Sequence, residues 1–148
     1  MRSELTILNN LETTIEGHIN EFLPSGTTTL GADNVVVDFP DIDRMPKSTM
    51  IYIAPDYSDF EPLATCNDQT SFNVKVCLVC KRDTAANLKT KTFAYYNALY
   101  ETLKKYQALA GASDFIKVEN AQFFGAIDMN KNVQGAEISV SVEFTKDF

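Results

Sequence analysis

The stretch FNVKVCLVCKR, residues 72–82, sets a choice between chemistry and architecture. Cys77 and Cys80 stand in the Cys-x-x-Cys spacing used by zinc sites and thiol oxidoreductases. The residues around them alternate, with Phe72, Val74, Val76, Leu78 and Cys80 on one side and Asn73, Lys75, Cys77, Val79 and Lys81 on the other, the period of a half-buried strand. Residues three apart on a strand point to opposite faces, so the two sulfurs diverge where a metal or redox site needs them to converge. No second Cys or His pair completes four ligands. The stretch therefore predicts a strand, with Cys80 in the core and Cys77 incidental.

Working outward, Asp83 and Thr84 offer a cap for a long helix over residues 85–109, whose stripe of Ala85, Leu88, Thr92, Tyr95, Tyr96, Leu99, Leu103 and Tyr106 should lie on a sheet. Glu101 and Lys105 form an i,i+4 pair on its outer side. On the other flank, residues 55–70 hold two prolines and several acids without a steady period, which predicts a long loop. Before it, NVVVDF (34–39) and TMIYIA (49–54) are β-branched and aromatic, hence strands, joined by PDIDRMPK. At the start, Ser3 can cap a helix carrying Leu5, Leu8, Leu11, Ile15, Ile19 and Phe22 at spacings of three and four, ended by Pro24-Ser25-Gly26.

Beyond the long helix, residues 115–128 predict a strand bulged near Asn120, where the alternation shifts. MNKN (129–132) reads as a hairpin turn. In the last strand Ala136, Ile138, Val140, Val142 and Phe144 alternate cleanly with Glu137, Ser139, Ser141 and Glu143. The order α-β-β-β-α-β-β is α+β: a mainly antiparallel or mixed sheet with two helices packed on one face, in a single domain spanning residues 1–148.

Composition narrows the function. The 148 residues are 45% hydrophobic, enough for one core, and contain no apolar run long enough to span a membrane and no secretion signal, so the expectation is a soluble protein that is not exported. Three cysteines make a poor disulfide framework and fit a reducing cytoplasm. A net charge of -7 argues against nucleic acid as a tightly held partner. The six glycines are scattered, without a phosphate-binding motif. His18, the single histidine, falls at the edge of the first helix's apolar stripe with no ligand or catalytic partner at useful spacing, and reads as a surface residue. Asp56, Asp59 and Glu61 lack the residue order of a calcium loop. The sequence thus predicts no enzyme, no metal and no cofactor. Recognition remains, through two candidate surfaces: the loop residues Asp56, Tyr57, Asp59, Phe60 and Glu61, and the hairpin residues Ile127, Asp128 and Met129. Each sets apolar groups among charges, the composition of protein contacts, unless the aromatics fold back onto their own domain.

The order of elements, a helix, a strand leading into VVVDFPD, a strand MIYIAPD, a strand KVCLVCKRD passing into the helix TAANLKTKTFAYYNALYETL, and a final hairpin, resembles the tail terminator (tail completion, tail-to-head joining) proteins of long-tailed bacteriophages and prophages. The resemblance spans nearly the whole chain. It implies a non-catalytic virion subunit, assembled in the bacterial host cytoplasm, that forms a hexameric ring on the completed tail tube. Its implied partners are other copies of itself, the tail tube protein and a head-completion or neck protein, with DNA only in passage and no membrane. Another neck or tail tube subunit resembles the same pattern, and a small cytosolic binding module or thiol protein stays open as an alternative.

Overall fold

The computed structural model describes residues 2–64, 66–82, 87–125 and 132–147. Helix α1 spans Glu4–His18, and the Ser3 hydroxyl accepts from the Thr6 N–H at 3.2 Å, satisfying a donor that the first turn leaves open. Its stripe buries Ile7, Leu8, Leu11 and Ile15, each contributing about 1.5–3 kcal/mol through area removed from water. One 3-10 turn, Ile19–Phe22, extends it before Pro24.

Strand β1 is only Val35–Val36, shorter than the predicted 34–39. The Val37 N–H donates to Glu12 Oε2 on α1 at 3.2 Å and the Phe39 N–H to the Asp38 carboxylate at 2.8 Å. Side chains thus take the donors that a longer strand would spend on its neighbour, and Pro40 follows.

The expected loop at residues 55–70 is instead a long hairpin. Strand β2 runs Thr49–Ala64 and β3 runs Asn67–Lys81, antiparallel from Thr49 opposite Cys80 to Ala64 opposite Asn67. Register shifts at Asp56, between Pro55 and Tyr57, and at Leu63, between Pro62 and Ala64, disturb the alternation that would have marked a strand. The two prolines are tolerated because this part of β2 is an edge: β1 pairs only with Ile51 and Tyr52, and proline has no N–H to offer.

Helix α2 is Leu88–Lys105, inside the predicted 85–109. The expected caps Asp83 and Thr84 lie outside the described residues. The Asn87 side chain accepts from the Thr90 N–H at 3.2 Å, and Lys104 and Lys105 in the last turn complement the helix dipole. Before β4, Leu109 and Ala110 adopt left-handed φ values of 48° and 56°, which seats the Leu109 side chain in the core. Strand β4, Phe115–Phe124, carries the expected bulge, between Val118 and Asn120, and β5 runs Val133–Asp147.

The sheet order is β1-β2-β3-β5-β4, parallel between β1 and β2 and antiparallel elsewhere. Both helices cover one face, where Ile7, Leu11, Leu99 and Leu103 meet Ile51, Val76, Ile138 and Val140 in the main core. The α+β class and the element order are those the periodicity predicts. The opposite face is not wholly open: Met50, Tyr52, Cys77, Val79 and Val133 form a second cluster beneath Val36, Ile42, Met45 and Phe124.

Candidate interaction surfaces

The Cys-x-x-Cys question closes on geometry. Cys80 belongs to the main core and Cys77 to the cluster on the other face. Cys77 is therefore a packed residue rather than an incidental one. Burial pushes the Cys77 thiol up to about 12, with Glu137 adding to the rise, and burial pushes Cys80 up to about 11 against hydrogen bonds from Thr92 and Thr49. Neither forms a thiolate near neutral pH, the state that metal binding or thiol exchange requires. Among the described residues no group of three or more His, Cys, Asp or Glu could hold a metal ion, and no helix is long and apolar enough to cross a membrane.

His18 sits on the surface, stacked on Tyr106 with ring centroids 3.8 Å apart, and its Nδ1 meets Glu21 Oε2. Tyr106 Oη donates to Glu21 Oε1 at 2.9 Å. These bonds from His18 and Tyr106 hold the Glu21 carboxyl below its usual range. The cluster ties the end of α1 to the end of α2. A cleft of about 790 Å³ opens between residues 24–30, Lys47 and the start of α2. Its Lys91 is engaged by Ser48 Oγ at 3.2 Å and the Lys81 carbonyl at 3.1 Å.

The residues expected on an interaction loop occupy the outer half of β2, and the pleat divides them. Opposite residues in an antiparallel pair share a face. Phe60 stands opposite Thr70, on the side that bears Phe72 and the helices, with Lys146 Nζ 5.7 Å from its ring centre. Tyr57, Asp59 and Glu61 stand opposite Asn73, Ser71 and Gln69, on the far face. Asp56, in the bulge, approaches Lys75 at 4.0 Å. Tyr57, Phe60 and Leu63 are each more than half exposed, so the aromatics have not folded back. Glu4 of α1 anchors the inner side of this arm, accepting from Lys146 Nζ at 2.8 Å and from Ser58 Oγ at 3.3 Å. Burial raises the Glu4 carboxyl, but the bonds from Lys146 and Ser58 outweigh it and the net shift is downward. The hairpin residues Ile127, Asp128 and Met129 lie outside the described residues.

On the far face, polar side chains run across the strands: Ser71 Oγ donates to Glu143 at 2.7 Å and Lys75 Nζ to Ser139 Oγ at 2.7 Å. Asp56, Asp59, Glu61, Glu137 and Glu143 outnumber Lys75, Lys81 and Lys117 there.

A second surface was missed at the level of sequence. Phe93, Tyr96 and Tyr100 on the outer side of α2 gather with Phe123 of β4, the Tyr96 and Phe123 ring centres 4.7 Å apart and Phe93 and Phe123 5.4 Å apart. Phe93 and Phe123 remain largely exposed. The signal was present in the stripe Phe93, Tyr96, Tyr100, three and four apart. It was hidden because Tyr95 in the same run does turn inward, donating to the Thr28 carbonyl at 2.6 Å.

Fold and surfaces together define an α+β fold with a polar, acidic stretch on the far sheet face and exposed aromatic groups at two separate places. No family model matches the chain, and no curated protein matches it. Among solved structures it is similar to a chain from the cryo-EM structure of an extracellular contractile injection system, PVC sheath/tube terminator in extended state, at 11% identity and TM-score 0.46. That likeness covers all of this chain and 58% of the other, so the chain spans less than two thirds of its neighbour's length.

Proposed function

We propose that this chain is a non-catalytic structural subunit of a phage or prophage tail, which closes as a ring, the hexamer the resemblance implies, on the end of the completed tail tube and offers the surface that joins it to the head. The carrying observation is the sheet itself: it is covered by helices on one face only, and its two sides end in long strands, the outer half of β2 and β4, that have no neighbour among the described residues. Uncovered edges flanked by exposed aromatics suit a subunit completed by copies of itself. The sequence resemblance supplies the particular assembly. The acidic far face suits a lumen through which DNA passes, since a lining poor in lysine and arginine releases few counterions and holds the backbone weakly.

The test is to add the purified chain to tail tubes and image the ends. Rings capping tube ends support the reading; decoration along the whole tube turns it towards a tube or neck subunit, and absence from the tubes refutes it. The thiol-protein alternative is disfavoured by the divergent, buried Cys77 and Cys80.

A further inference from the structure

The two aromatic surfaces differ in sign. On α2 the positions Lys89, Phe93, Tyr96, Tyr100 and Lys104 follow one another at three or four residues and share one side of the helix. The aromatic patch thus lies between two lysines, neither of which has an ion-pair partner among the described residues. On the arm, Tyr57, Asp59 and Glu61 share the far face, where neither acid has an ion-pair partner among the described residues, while Phe60 stands on the opposite face. The extents agree: residues 57–63 span about 20 Å as a strand, and residues 89–104 span about 22 Å as a helix.

The arm is at the β2 side of the sheet and the patch at the β4 side, with β3 and β5 between them. Pro55 and Pro62 interrupt the N–H row of β2, and two bulges twist it, so the arm is poorly made for adding to another sheet as a strand and well made for presenting side chains. We infer that the acidic, aromatic arm of one copy docks on the lysine-flanked aromatic patch of α2 and β4 of a second copy, head to tail. This rests on the self-assembly part of the proposed function and names the surfaces that would carry it. Each copy gives one surface and receives the other, so the contact is heterologous and propagates until rotation closes it. The aromatics supply the buried area, and the charges set the pairing and its salt dependence.

Sedimentation velocity on the full chain tests this with two variants, Lys89→Glu/Lys104→Glu and Asp59→Lys/Glu61→Lys. Wild type should associate as concentration rises, and each variant alone should associate at least about tenfold more weakly, because arm and patch then carry like charge. An equal mixture should recover association, since each variant's arm now meets an oppositely charged patch on the other; this recovery also shows that both variants fold. Variants that associate like wild type, a mixture that does not recover, or a wild type that stays monomeric up to about 1 mM would each overturn the inference. Failure is separable from that of the proposed function: charge-reversed chains that still cap tube ends leave the tail reading intact and remove only this contact, whereas a wild type that ignores tube ends removes the tail reading whatever its solution mass.

Discussion

Replacing Thr70 with valine should stabilise the protein. Thr70 is fully buried on β3, and its hydroxyl is the one buried side-chain polar atom without a hydrogen-bond partner among the described residues. Its neighbours across the strands are Phe60 on β2 and Phe144 on β5, both aromatic. A hydroxyl buried without a bond costs about 1–3 kcal/mol in proteins. Valine keeps the shape, puts a methyl in place of the oxygen and suits a strand at least as well. The expected gain is about 1–2 kcal/mol, which for a chain of this size raises Tm by about 3–8 °C. Urea unfolding should show a higher midpoint with an unchanged m-value. The companion Thr70→Ser keeps the hydroxyl, deletes a buried methyl and should lose about 1 kcal/mol. If Thr70→Val instead lowers stability by more than about 0.5 kcal/mol, the hydroxyl has a partner and the reasoning fails.

Iodoacetamide on the native chain should modify Cys66, which is exposed, and spare Cys77 and Cys80; mass spectrometry should count one adduct folded and three in urea. The raised thiols also set an alkaline limit. Both stay neutral in the fold, while in the unfolded chain they ionise above about 9, so their contribution is complete below that pH and is lost as pH rises towards about 11 and about 12; stability that is flat from pH 8 to 11 would refute this. Gly135→Ala should destabilise by about 2 kcal/mol or more, measured by thermal melting, because the added Cβ meets the Leu78 carbonyl oxygen and the Phe124 ring. Ala110→Gly should gain about 0.5–1 kcal/mol by relieving the left-handed φ of 56°, and an unchanged melting temperature would count against strain there.

The sequence reveals most where alternation is unbroken. Residues 72–82 and 136–144 supply the central strands because every second side chain is apolar and no proline intervenes. Residues 55–64 were illegible for the opposite reason: two prolines, two bulges and five exposed positions in a row remove the period, and pairing with β3 decides the conformation instead. The short β1 was overestimated because propensity cannot show that Glu12, distant in sequence, would take the Val37 N–H. Of the site, composition pointed to Tyr57 and Phe60 but not to their division between two faces, which follows from pairing register. The patch on α2 depends on Phe123, thirty residues from Phe93, and only tertiary structure brings the rings together.

The position of β5 has a consequence for how the chain comes to be folded at all. It lies between β3 and β4 and pairs with both along most of its length. During synthesis, at about 5–20 residues per second, β1, β2, β3 and α1 emerge first and can form a local unit. Strand β4 then emerges with nothing to pair with, and the inner edge of β3 with its Val74, Val76 and Leu78 stays open until residues 133–147 have followed. The nascent chain therefore passes through a stage in which its most apolar strand is an unprotected edge, the species most exposed to wrong pairing with a neighbouring ribosome's product. Slowing translation after residue 124 should lower the soluble yield, and supplying a holding chaperone should restore it.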